Sequence, residues 1–87
     1  MEQWSEGTLY NKENKPLRSF CIHGKVKDLK QAVLEYIFEI YRKDGIKNPN
    51  NLVKRNWSKI RTNMYEIVLF TSEKKDNFSN FYLYVSL

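Results

Sequence analysis

Cys21 and His23 form a C-x-H pair on a segment that alternates like a β-strand, which places both on one face. A thiol beside an imidazole is the start of a metal site or of a nucleophile pair. A structural zinc site needs four such ligands, and the chain holds one cysteine and one histidine. A nucleophile pair also needs an orienting group and an oxyanion site, and neither is legible. Glu35 and Glu39 lie one helical turn apart, as a metal-binding carboxylate pair would. Glu39 also stands four residues before Lys43, which is the spacing of a helix-stabilising ion pair. Gly7, Gly24 and Gly45 are isolated, so no glycine-rich loop is available to cradle a phosphate. The expectation is a protein without a metal or cofactor that is not an enzyme.

The cationic side chains carry more information. Between Gly45 and Tyr65 stand five basic residues, Lys47, Lys54, Arg55, Lys59 and Arg61, and no acid. The rest of the chain balances, so the whole formal net charge of +5 belongs to this window. Asn56, Ser58, Thr62 and Asn63 lie among the cations as hydrogen-bonding partners for phosphate or base edges. A localised, acid-free basic surface is the electrostatic footprint of a nucleic-acid binder that grips the phosphate backbone. Two readings compete with it. One is a solvated face balanced by acids elsewhere, such as Glu35 and Glu39. The other is a surface for a larger protein partner.

The aromatic residues give a second set of contacts. In the C-terminal run FYLYVSL, Phe81, Leu83, Val85 and Leu87 share one strand face, while Tyr82, Tyr84 and Ser86 share the other. Tyrosines on an open sheet face stack on unpaired bases or pack against another protein.

The element that must position all of these is the stretch DLKQAVLEYIFEIYRKDG, Asp28 to Gly45. Asp28 and Gln31 suit a helix start, Arg42 and Lys43 suit the last turn, and Gly45 with Ile46 suits the end. Leu29, Ala32, Val33, Tyr36, Ile37 and Ile40 form one face. Leu34, Phe38 and Tyr41 widen it beyond the stripe a surface helix needs, which points to a deep seat on a sheet or to a second subunit in a homodimer.

Trp4 to His23 reads as a hairpin around a polar turn at 11–16. Pro49 breaks the chain after the long helix. Val53, Trp57, Ile60 and Met64 then fall on one helical face, so the spacing predicts a second, short helix from Leu52 to about Thr62. A strand there is the competing expectation; it would put Val53, Arg55, Trp57 and Lys59 on one side, a poor core face. Tyr65 to Ser72 and Phe81 to Leu87 read as strands, the last buried on both sides and interior to the sheet.

The fold expected is therefore α+β, a two-layer ββα(α)ββ domain over residues 1–87 with a four-stranded sheet packed on one long helix. With the first and last strands paired in parallel at the centre, this order resembles the β-grasp of ubiquitin-like and immunoglobulin-binding bacterial domains. The resemblance lies in element order and carries no function. An antiparallel meander is the alternative.

Composition sets the remaining bounds. A chain of 87 residues with 41% hydrophobic content can fill one core. A lone cysteine suits a reducing compartment, and no apolar run approaches the ~20 residues of a membrane span, so the expected setting is cytoplasmic. The function expected is a small binding protein that takes nucleic acid through Lys47, Lys54, Arg55, Lys59 and Arg61. The alternative is an inhibitor or adaptor, of the kind mobile elements carry, that binds a larger protein through the helix arc Leu34, Phe38 and Tyr41 or the open sheet face at Tyr82 and Tyr84.

Overall fold

The computed structural model describes residues 3–54 and 56–86. Arg55, expected among the phosphate contacts, and Leu87 lie outside the described residues. The elements in chain order are β1 (Trp4–Tyr10), β2 (Pro16–His23), α1 (Val26–Lys43), a 3-10 turn (Pro49–Leu52), β3 (Ser58–Arg61), β4 (Met64–Phe70) and β5 (Phe78–Ser86).

Among the described residues, five strands make one sheet in the order β2-β1-β5-β4-β3, with every neighbouring pair antiparallel. The long helix α1 leaves the β2 edge and delivers the chain to the β3 edge, covering one face. The first hairpin turns on Asn11, whose side-chain oxygen accepts the backbone N–H groups of Glu13 and Lys15 at 3.0 Å each. The helix starts at Val26, two residues before Asp28. Asp28 sits at the third helical position and its carboxylate accepts the Lys25 N–H at 2.9 Å. At the other end Gly45 adopts φ 94°, and the Ile46 N–H returns to the Tyr41 carbonyl at 3.1 Å, so Ile46 folds back onto the core.

Leu29, Val33 and Ile37 of α1 are fully buried against Leu9, Ile67, Leu69, Leu83 and Val85 of the sheet. Each such side chain contributes about 1.5–3 kcal/mol relative to an exposed one. Gly7 of β1 lets the helix come down: a Cβ there would lie 2.9 Å from the Tyr84 carbonyl oxygen and 3.2 Å from a Leu29 methyl.

Two expectations are overturned. Among the described residues of Leu52–Thr62 the expected second α-helix does not form. Pro49 opens a 3-10 turn that ends at the buried Leu52, Val53 then bridges to Leu69, and the Lys54 N–H donates to the Val68 carbonyl at 2.9 Å. Residues 53–54 and 56–57 belong to a strap that leads into β3, which pairs with β4. Asn, Ser, Thr and Trp in this window are middling or poor helix formers, and the ladder bonds to β4 outweigh a periodicity of four apolar residues. Thr62, expected as the end of the helix, and Asn63 form the hairpin turn between β3 and β4, with Asn63 at φ 62°.

The sheet accordingly has five strands where four were expected. The extra strand also reverses the last one. β1 and β5 do meet at the centre, but antiparallel, so the β-grasp resemblance does not hold.

Candidate functional site

The acid-free window lies along one edge of the molecule and faces both ways. Lys47 is exposed in the bridge after α1. Lys54 turns to the open side of the sheet, its ammonium 4.7 Å from the centre of the Phe78 ring. In β3, Lys59 pairs with Tyr65 on the helix side. A bulge between Lys59 and Arg61 sends Arg61 to the open side, opposite Met64, where its Nε donates to the Met64 Sδ at 3.3 Å. β3 is an edge strand, and cations there also discourage pairing with another sheet. The strap that replaces the expected helix therefore splits Lys54 and Arg61 from Lys59.

The structure brings Lys59 near Lys30, both beside Tyr65, and adds a second helix cation, Lys27, that the sequence pattern left out. Lys27 and Lys30 lie in the first turns of α1 and line a groove of about 500 Å³ between that helix and the strap. Desolvation, with the Lys59 charge as the second cause, holds the Lys30 ammonium below its ordinary value of 10.5. The groove has an apolar wall of Leu34, Phe38, Val53 and Trp57, the amides of Asn50 and Asn56, and no Asp or Glu in its lining. Positive charge is also unfavourable beside the positive end of a helix dipole. Asp28, capping the Lys25 N–H, is the acid of that first turn, and it does not line the groove.

Glu35 and Glu39 line a separate cavity with Tyr36 and Arg18, and Glu35 also accepts a hydrogen bond from the groove-lining Gln31 amide at 3.2 Å. The Arg18 guanidinium stands 5.1 Å from the ring centres of both Phe20 and Tyr36. One flank of α1 is basic and the other mixed in sign. The stripe Lys27, Lys30, Gln31, Leu34, Phe38 repeats at helical spacing and holds no acid, which is the signal that marks this flank in the sequence.

The wide apolar arc of the helix is used by its own chain. Phe38 is 8% and Tyr41 7% exposed, Tyr41 packs on Phe81 with ring centres 6.5 Å apart, and Leu34 packs against the core at the groove. The sheet face turned away from the helix is different. Trp4 (59%), Phe78 (51%), Ile60 (46%) and Tyr84 (46%) are exposed on it. Tyr82 is half-buried on the same face, opposite both Tyr10 and Glu66. Glu66 accepts a hydrogen bond from the Asn80 amide at 2.9 Å, and Val68 between these neighbours is 3% exposed.

Cys21 and His23 share this open face. The Cys21 Sγ lies 3.6 Å from a Glu6 carboxylate oxygen, and the His23 ring lies 5.0 Å from Trp4. Local desolvation, then the Glu6 carboxylate as acceptor and as charge, push the thiol above 9.0, away from the thiolate that a nucleophile or metal ligand requires. Among the described residues no three His, Cys, Asp or Glu side chains gather as a metal site would need, and no helix is long and apolar enough to cross a membrane. No protein-family model, curated protein or solved structure matches the chain.

Proposed function

We propose that the chain is a non-catalytic binding protein that takes nucleic acid along its basic edge. Lys27, Lys30 and Lys59 hold phosphates at the helix groove, with Lys47, Lys54 and Arg61 continuing the surface around β3. The observation that carries this reading is the approach of Lys30 and Lys59 to one another at Tyr65, beside a groove whose lining holds Lys27 and Lys30 and no carboxylate. Like charges held together cost stability in the free protein, and a polyanion offsets that cost when it binds. The reading keeps the phosphate role expected of Lys47, Lys54, Lys59 and Arg61 and adds Lys27 and Lys30. Fluorescence anisotropy with a labelled oligonucleotide at about 50 mM and 200 mM salt tests it. Binding at the lower salt that weakens steeply at the higher supports the proposal; absence of binding at the lower salt overturns it.

A protein partner is the second reading, favoured by the four large apolar side chains exposed on one sheet face, Trp4, Ile60, Phe78 and Tyr84. The only acids among the face's central residues are Glu6 and Glu66, with Arg61 and Lys54 at the rim. Aromatic, Met and Arg side chains with little charge are the composition of an interface core. A homodimer through this face is one form of that reading. Alanine at Phe78 and Tyr84 would abolish such a contact and leave the basic edge intact.

A further inference from the structure

Resting on the nucleic-acid reading above, we infer that the groove between α1 and the strap seats one unpaired nucleobase of a single strand, with its phosphate at Lys27 and Lys30. The cavity of about 500 Å³ lies within the size range of small-ligand sites. Its apolar and aromatic wall, Leu34, Phe38 and Trp57, suits a flat ring. The amides of Asn50 and Asn56 open into the same space, and each carries both donors and an acceptor, as reading a base edge requires. The cations at the mouth meet no acid in the lining. An anion joined to a flat, hydrogen-bonding ring matches that combination, and a nucleotide unit is such a group.

The base must be unpaired. In a duplex its faces are covered by neighbours and its edge is used by its partner, so it cannot enter a groove without leaving the stack. Trp57 adds a separate observation. Its indole Nε1 is buried and has no hydrogen-bond acceptor among the described residues. An unpaired buried donor is unfavourable, and a base carbonyl or ring nitrogen supplies an acceptor once the indole turns toward the groove.

Four other cavities lack this combination. The one between α1 and β2 holds Glu35 and Glu39, the one beside Leu52 sets Glu73 against Lys75, the one at Met64 and Tyr82 has Arg61 as its one cation, and the one at Glu6 and Cys21 has no cation in its lining.

Three probes of equal length test the inference at one salt concentration: oligo(dT) of about 12 nucleotides, the corresponding duplex and an abasic strand. Oligo(dT) is expected to bind about tenfold more tightly than either of the others. In a Trp4→Phe background, which leaves Trp57 as the reporter, oligo(dT) is expected to quench the emission and the abasic strand is not. Gln31→Trp fills the lip of the groove without removing a cation. It should bring oligo(dT) down to the affinity of the abasic strand and keep the salt dependence. Salt-dependent binding with the duplex or the abasic strand equal to or tighter than oligo(dT) overturns the base seat and leaves the nucleic-acid reading standing. No binding of any probe at low salt overturns both.

Discussion

The Lys30 ammonium sits 3.8 Å from the centre of the Tyr65 ring, so a side chain of α1 is anchored on β4 at the mouth of the groove. That contact fixes Lys30 beside Lys59, which β3 presents from the neighbouring strand position to Tyr65. The aromatic face holds one side of the cation and leaves the rest open to an anion. The basic site is built by the packing of helix on sheet.

Removing one charge of the pair should stabilise the free protein. Lys59→Gln leaves the Lys30–Tyr65 contact intact and relieves repulsion of about 0.2–0.5 kcal/mol. For a domain of this size that corresponds to a rise in Tm of about 1–4 °C. Thermal denaturation at low salt checks it, and added salt should erase the difference by screening. A lower Tm for the variant would mean that the two charges do not oppose each other.

Alkaline pH should destabilise the fold through Tyr41. Burial, with the Asp44 carboxylate second, raises its hydroxyl above the ordinary 10.0. An acid whose folded value is raised keeps its proton better when folded. Its stabilising contribution is full below pH 10.0 and is lost as pH rises through the folded value. Urea denaturation at a series of pH values should show that loss in the native chain and a shallower one in Tyr41→Phe. Parallel profiles for the two proteins would contradict the assignment.

Gly7→Ala should destabilise by about 1–3 kcal/mol. The added methyl would meet the Tyr84 carbonyl, a Leu83 methyl and a Leu29 methyl at 2.9, 3.0 and 3.2 Å. The backbone of β5 and the seat of α1 must both shift. Denaturant titration measures the loss; a midpoint within error of the native chain would show that the helix is not held as close to β1 as described.

Phe78→Ala with Tyr84→Ala separates the two surfaces. Both side chains are about half exposed, so the pair should alter Tm little. Oligonucleotide affinity should fall only slightly, through the Lys54 ammonium that rests on Phe78. If the open face joins two copies of the chain, the native protein should sediment as a dimer and the variant as a monomer. Loss of oligonucleotide binding in the variant would move the nucleic-acid site from the groove to the sheet.

Much of the scaffold was legible because its signals were local. The limits of the first hairpin follow from Asn11 and Pro16, and the end of α1 from Gly45 and Ile46. The interior position of β5 follows from its unbroken apolar run. The strap was not legible, because Val53, Trp57 and Ile60 recur at helical spacing while their structure depends on the distant Val68 and Leu69. Of the mixed face that weighed against a strand, Val53 and Trp57 pack along the core and Lys59 pairs opposite Tyr65. Charge counting found the acid-free window but not its partners, since Lys27 and Lys30 lie about 30 residues away and join it only through the helix crossing.

The most direct test is the slope of log affinity against log salt for oligo(dT), measured for the native chain and for Lys30→Gln with Lys59→Gln. On a single strand each phosphate contact removed should lower the slope by about 0.7, so the double variant should lose about 1.4 and bind more weakly at every salt concentration. An unchanged slope, or no binding by the native chain at low salt, would contradict the central claim.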